Sequence, residues 1–334
     1  MSGVKIALDV FGGDLAPDVN IDGAISILKE ERLDLELYLV GKEEVIKKLL
    51  RDRGFTHEKL HVIDAPEIFG MAEKPSAILR KKDTSLYRSA QLVKEGKVDA
   101  MVSAGNTGAV LAVALFVVGR IKGVERGAIA TPIPSKRGFT VLLDCGANVE
   151  VRPEHLRDFG KMGFHYAKLL GKTSPKVGLL NVGEEEEKGT KDTKAAFEML
   201  KETLGDSFCG NVEGRDILYG DVDVVVTDGF KGNVAMKAIE GAAKFIGDVL
   251  KSQIKASGFA GILGGLLLKG AFNRLKKTLD PSEYGGAFVL GVKGVVTKAH
   301  GNSNTLAIKN AIKVAHEGVK GKLVDKLQKE FGGN

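Results

Sequence analysis

Met101-Val-Ser-Ala-Gly-Asn-Thr-Gly-Ala-Val110 carries the decisive punctuation of this 334-residue chain. An apolar run from Val98 to Val102 stops at a small, polar, glycine-containing corner, and a helix-like apolar run from Ala109 to Val118 follows at once. Strand, tight turn and helix N-terminus together aim backbone N–H groups and the helix dipole at one point, which suits an anion. Ser103, Asn106 and Thr107 add donors without bulk, and Gly105 and Gly108 allow close approach to the backbone. The corner therefore reads as an oxyanion pocket for phosphate. Ser, Asn and Thr are also the ordinary cap and turn residues, so its specificity rests on similar corners recurring along the chain.

They do recur. Short β-branched or Leu-rich runs (Val4–Val10, Leu35–Val40, Val98–Ser103, Phe139–Asp144, Lys176–Asn181, Val222–Thr227) alternate with helical patterns (Asp18–Glu30, Thr107–Val118, Pro153–Leu170, Lys191–Leu204, Gly232–Lys251). That alternation predicts a three-layer α/β/α fold with a mostly parallel sheet. The last two strand runs, Ala287–Val292 and Val295–Ala299, are close enough to form an antiparallel hairpin. No repeat or long linker interrupts the chain, so residues 1–334 read as one catalytic unit, with division into two lobes left open.

Five polar–glycine corners follow strand candidates: Asp9 with Gly12-Gly13-Asp14, Ser103 to Gly108, Asp144 with Gly146-Ala147-Asn148, Asn181 with Gly183, and Asp228-Gly229-Phe230 with Gly232-Asn233. Ligands of such sheets bind beyond the strands' carboxyl ends, so the five are expected to line one shared crevice. Asp9, Asp14, Asp144, Asn148, Asn181, Asp228 and Asn233 would shape it. Lys188 and Arg120 are candidate cations for a phosphate dianion, with a solvated surface cation as the alternative for each. His300 ends a strand and is the best-placed group for proton transfer near neutrality, with a core histidine as its alternative.

Several chemistries are disfavoured. Gly171-Lys172-Thr173 lacks the upstream glycine of a P-loop, no Gly-x-Gly-x-x-Gly follows the first strand, and no Gly-x-Ser-x-Gly occurs. His57 and His61 lack the companion glutamate of a zinc helix, and no metal or other cofactor is expected. Cys145 and Cys209 lack metal or redox spacing and read as small buried residues of a cytoplasmic protein. No secretory signal is recognisable at the start. The net charge of +6, few aromatics and no Trp give weak support for anionic partners and none for nucleic acid. What remains is a phosphate pocket without an obvious nucleophile, which suits a reaction in which the anion itself attacks.

Residues 251–277 stand apart. Phe259, Ile262, Leu263, Leu266 and Leu267 follow helical spacing among Lys251, Lys255, Lys269, Arg274, Lys276 and Lys277, with no acid. The apolar stretch is too short to span a bilayer but suits contact with an anionic membrane surface, or a subunit interface.

As a set, the ordered motifs closely resemble the PlsX-type phosphate acyltransferases of bacteria: Asp9-Val-Phe-Gly-Gly-Asp-Leu-Ala-Pro17, Ser103-Ala-Gly-Asn-Thr-Gly-Ala109, Val118-Gly-Arg-Ile-Lys-Gly123, Leu143-Asp-Cys-Gly-Ala-Asn148, Asn181-Val-Gly183, Asp228-Gly-Phe230, Tyr284-Gly-Gly-Ala287 and Lys298-Ala-His-Gly301. The resemblance runs through nearly the whole chain. It departs at Val10-Phe11, where the family usually has Ala-Met, and at Asn302, where it has serine. It implies a homodimer with a fold like the isocitrate dehydrogenase and phosphotransacetylase group. It implies attack of inorganic phosphate on a long-chain acyl-acyl carrier protein thioester, giving acyl phosphate for a membrane-bound glycerol-3-phosphate acyltransferase. In that reaction Ser103, Gly105, Asn106, Thr107 and Gly108 would bind phosphate. Lys188 would stabilise charge, His300 would protonate the thiolate or orient phosphate, and the enzyme would work at the inner face of the cell membrane. The alternatives are a coenzyme A-dependent phosphotransacetylase-like enzyme, a dehydrogenase relative and a membrane-associated scaffold of lipid synthesis.

Overall fold

A computed structural model describes residues 3–30, 32–279 and 281–332, without the side chains of Ala260, Ile262, Asn273, Lys276, Lys277, Leu279 and Pro281. The expectation placed on the Ile262 side chain thus lies outside the described residues. Strand β1 (Val4–Asp9) lies inside the sheet, with Ile6, Ala7 and Leu8 all fully buried. Helix α1 (Asp18–Lys29) returns to β2 (Leu35–Gly41), and α2 (Glu43–Asp52) to β3 (Leu60–Asp64), both strands parallel to β1. A 3-10 segment (Pro75–Arg80) and α3 (Ser85–Lys94) lead to β4 (Ala100–Ser103) on the other side of β1, and α4 (Thr107–Val113) leaves it. A hairpin, β5 (Ala128–Ser135) and β6 (Gly138–Leu143), is followed by α5 (Pro153–Leu169), β7 (Val177–Leu180), α6 (Lys191–Leu204) and β8 (Phe208–Val212). Next come α7 (Asp216–Tyr219), β9 (Val224–Val226) and the long α8 (Gly229–Ala256), then α9 (Gly258–Leu267) and α10 (Lys269–Leu279). The chain closes through β10 (Ala287–Leu290), β11 (Val295–Lys298), α11 (Thr305–Lys320) and α12 (Leu323–Phe331).

All strands join one sheet in the order β3-β2-β1-β4-β11-β10-β5-β6-β9-β7-β8. Most neighbours are parallel, as the alternation of elements predicts. The exceptions decide the geometry: β11–β10, β10–β5 and β5–β6 are antiparallel. Strand β5 therefore points with β1, β4 and β11, whereas β6, β9, β7 and β8 point the opposite way. Alternate residues feed two helical layers. Ile6 and Leu8 meet α1 and α11, and Val141 and Leu143 belong to the same core as α5. Ala7 packs with α3 and α4, while Leu142 and Val225 pack with α7 and Met236 of α8.

Strand β8 has no counterpart in the sequence reading because Phe208-Cys-Gly-Asn-Val212 contains two poor strand formers. It is an edge strand, and Cys209 is exposed on it, against the expectation of burial. Cys145 is buried as expected, its thiol pushed up to about 12 by desolvation. Helix α8 extends further at both ends than its apolar pattern indicates. No helix among the described residues is long and apolar enough to cross a membrane.

Candidate active site

The strand directions divide the five corners between opposite edges of the sheet. Asp9, Ser103 and Lys298 end the adjacent strands β1, β4 and β11 at one edge. Asp144, Asp228 and Asn181 follow the adjacent strands β6, β9 and β7 at the other. The single shared crevice expected from the sequence is therefore two crevices. A corner records that its own strand ends there, but not which way that strand runs relative to distant ones.

The first crevice is closed on itself. The Ser103 hydroxyl donates to Asp9 Oδ2 at 2.7 Å and accepts from the Gly105 N–H at 3.0 Å. Both side chains are buried, and a Cβ on Gly12 would stand 2.5 Å from Asp9 Oδ2 and 2.8 Å from Gly105 N. Asn20 braces this loop by donating to the carbonyl oxygens of Val10 and Gly12, and the Asp14 N–H bonds to Gly301 O at 2.7 Å. Desolvation raises the Asp9 pKa, against the Ser85 and Ser103 hydroxyls, which favour its charged form. Asn106 caps α4 by accepting from the Ala109 N–H, and donates to the Met71 and Glu73 carbonyl oxygens. Ser103, Gly105 and Asn106 are thus each hydrogen-bonded to other groups of the protein. Thr107 is exposed and Gly108 half-buried.

At the same edge stands a charge cluster that the sequence reading did not assemble. His300 Nε2 lies 3.5 Å from Glu240 of α8, whose other oxygen takes the Lys237 ammonium at 2.7 Å. Burial, then repulsion from Lys237, lowers Lys298 to about 8, with Asp14 and Glu240 favouring its charged form. Burial and Lys298 likewise lower His300, against Glu240. Lys298 went unassigned because a lysine closing a strand normally reads as a solvated edge residue.

The second crevice is built around Asp144. Its fully buried carboxylate accepts from the Ile129 and Ala147 N–H groups on Oδ1, and from the Asn148 N–H and amide on Oδ2. Desolvation raises its pKa while those donors oppose the rise. Asn148 also donates to Gly127 O at 2.8 Å. Asp228 caps α8, accepting from the Lys231 N–H and pairing with its ammonium. Asn181 donates to Lys188 O, folding residues 181–189 into a loop whose Gly189 has φ +92° and no room for a Cβ.

Two polar side chains are left presented there. Asn233 is exposed, its amide donating only at 3.5 Å to Cys145 O. Lys188 is exposed, and its ammonium has no partner among the described residues; Glu184 and Glu186 beside it pair with Arg215 and Lys201. The arrangement offers positive charge and an amide donor beyond three strand ends. Lys188 stands six strands from Ser103, roughly 29 Å across the sheet at about 4.8 Å per strand, and at the opposite edge. The two therefore sit at opposite ends of the strands within one chain. His300 is likewise separate, since its partner Glu240 lies seven residues along α8 from Asn233, about 10 Å. Arg120 donates to Glu125 O at 2.6 Å. No group of three His, Cys, Asp or Glu side chains suited to a metal occurs among the described residues.

Residues 4–326 match the family described as "Fatty acid synthesis protein". The chain is 53% identical over 328 residues to the phosphate acyltransferase of Pseudothermotoga lettingae, covering 98% of this chain and 97% of that protein. It is 45% identical over 330 residues to that of Clostridium tetani, covering 98% of each. Among solved structures it superimposes on a phosphotransacetylase from Streptococcus pyogenes with a TM-score of 0.66 at 18% identity, covering 95% and 94% of the two chains. A 4-hydroxythreonine-4-phosphate dehydrogenase from Klebsiella pneumoniae gives 0.54 at 13% identity, covering 94% and 98%. These two likenesses speak to the fold alone and place it with the group expected from the sequence. The near full-length identity to proteins of one name speaks to more: this chain belongs to the phosphate acyltransferase family.

Proposed function

We propose that the chain transfers a long-chain acyl group from the thioester of an acyl carrier protein to inorganic phosphate. The chain is a phosphate acyltransferase of fatty-acid and phospholipid synthesis. A phosphate oxygen attacks the thioester carbonyl carbon, the tetrahedral intermediate expels the thiolate, and the products are acyl phosphate and the carrier protein's free thiol. Phosphate binds in the second crevice, and the observation that carries this is the unpartnered Lys188 ammonium at the ends of β6, β9 and β7. Four nearby carboxylates are already engaged, Asp144 by four donors, Asp228 by Lys231, Glu184 by Arg215 and Glu186 by Lys201. A dianion arriving there meets positive charge, whereas at Ser103 it would meet the buried Asp9. Lys188 and the Asn233 amide then hold phosphate or the oxyanion, and preorganised donors of this kind supply charge stabilisation without a covalent intermediate.

The exposed apolar side chains of α9, Phe259, Leu263, Leu266 and Leu267, together with neighbouring Lys255 and Lys269, support peripheral contact with an anionic membrane surface. That contact places the acyl phosphate beside a membrane-bound glycerol-3-phosphate acyltransferase at the inner face of the cell membrane. A homodimer and docking of the acidic carrier protein on basic surface complete the proposal.

The test mixes purified protein with palmitoyl-acyl carrier protein and phosphate, and traps acyl phosphate with hydroxylamine while free thiol is followed. Phosphate-dependent hydroxamate from the carrier-protein donor, with none from palmitoyl-coenzyme A, is expected. Product from coenzyme A alone would assign the donor to the phosphotransacetylase-like alternative.

A further inference from the structure

The motif Val118-Gly-Arg-Ile-Lys-Gly123 contributes no group to either crevice, yet it leads into β5 at the sheet edge that holds the second one. Residues 120–126 form a tightly anchored loop. The Ile121 N–H donates to Gly291 O at 3.0 Å and the Val124 N–H to Ile121 O at 3.1 Å, and both side chains are buried. Gly123, at φ +87°, has no room for a Cβ, which would stand 2.4 Å from Phe331 O. With its apolar side chains turned inward, the loop exposes Arg120, Lys122 and Arg126. Arg120 bridges Val292, which brings exposed Lys293 beside it, and the Lys293 N–H donates to Gly119 O at 2.8 Å. None of these four cations pairs with a carboxylate among the described residues. The acid of the loop, Glu125, is taken by Arg152 and stands 3.2 Å from His155.

We propose that Arg120, Lys122, Arg126 and Lys293 are the docking surface for the acidic acyl carrier protein. The proposal rests on the acyl-transfer reading above and deepens it. Unpaired cations on a fixed backbone suit a folded acidic partner, because complementary charge steers and orients the encounter. A lipid-facing element exposes apolar side chains among its cations, as α9 does, whereas this loop buries Ile121 and Val124. Position agrees as well. Arg126 adjoins Gly127, whose carbonyl oxygen accepts from the Asn148 amide that also holds Asp144. From β5 to β7, which carries the Lys188 loop, is three strands, roughly 14 Å at about 4.8 Å each. A carrier protein seated on the patch meets Lys188 through its extended thioester arm, not with its own surface.

The experiment uses the full chain and two readouts. One is the Kd of fluorescently labelled carrier protein, by anisotropy across a salt series. The other is KM for palmitoyl-acyl carrier protein and for phosphate, by hydroxamate trapping. The variants are Arg126→Glu and Lys293→Glu, singly and together, with Lys82→Glu as the same charge change at the opposite edge, beside the loop that follows β3. The double variant should raise Kd and carrier-protein KM by about tenfold or more and flatten their salt dependence, while KM for phosphate stays put. Lys82→Glu should change neither. Acyl phosphate from wild type, with Kd and KM unchanged in the double variant, overturns the docking surface and leaves the reaction standing. A raised KM for phosphate with Kd unchanged overturns it in favour of phosphate guidance. Lost flotation on phosphatidylglycerol vesicles with Kd unchanged overturns it in favour of membrane contact. Wild type that neither binds the carrier protein nor forms acyl phosphate overturns the reaction and the docking surface together.

Discussion

A Cβ placed on Gly232 would stand 1.9 Å from the carbonyl oxygen of Asp144, a backbone atom that cannot step aside. The first turn of α8 thus lies directly on the Asp144 corner, and a Cβ on Gly229 would likewise meet Asn148 O at 2.7 Å. That contact holds Asn233 over the second crevice. Gly232→Ala should cost about 3 kcal/mol or more through forced separation of helix and corner. Gly241→Ala, with open space around it on the same helix, should gain up to about 1 kcal/mol. Urea midpoints check both, and equal effects would deny the close contact.

Lys188→Ala should lower kcat/KM for phosphate by about 10- to 150-fold, the worth of one charge-assisted hydrogen bond of roughly 1.5–3 kcal/mol. Ser103→Ala should instead act on stability. Removing its hydroxyl leaves buried Asp9 Oδ2 without that donor, at a cost of about 1–3 kcal/mol, while the KM for phosphate stays put. The opposite division between the two variants would move phosphate to the first crevice.

Lys298 should make stability rise with alkalinity. Its pKa is about 8 in the fold against an ordinary 10.5, so between these values the unfolded chain binds more protons and unfolding becomes harder as pH rises. Below about pH 8 both states are protonated and the full burial penalty applies. Relative to Lys298→Met, wild type should gain about 2–3 kcal/mol between pH 7 and pH 10. Parallel pH profiles of the two proteins in urea unfolding would refute the burial penalty.

Leu266→Glu with Leu267→Glu should abolish flotation with vesicles containing anionic lipid, because both side chains are exposed on α9 and a charge there opposes insertion. Hydroxamate formation from a soluble short-chain donor should persist. Undiminished flotation would show that another surface meets the membrane.

Local chemistry was legible in the sequence wherever it depends on neighbours along the chain. The strand ends at Asp9, Ser103 and Asp144 and the caps at Asn106 and Asp228 follow from apolar runs meeting short polar residues. The antiparallel pair β10–β11 follows from two strand runs too close for a crossover helix. Lys188 was legible as a cation near a corner but not as an unpaired one, because its acidic neighbours find Arg215 and Lys201 only in the fold. The bond from the Ser103 hydroxyl to Asp9 was not legible for the same reason, since the two residues are 94 apart.

The sequence by itself determined a layered α/β protein of the phosphate acyltransferase family, because periodicity, turn residues and ordered motifs are properties of contiguous stretches. Only the tertiary structure decided that the corners divide between opposite strand ends, the loop of Asn181 and Lys188 falling at the ends that hold Asp144 and Asp228. That outcome depends on three successive antiparallel pairings, Thr297 with Phe288, Phe288 with Ala130 and Ala130 with Leu143, which turn half of the sheet around. Hydrogen bonds between strands distant in sequence set direction, and no residue's own propensity carries that information.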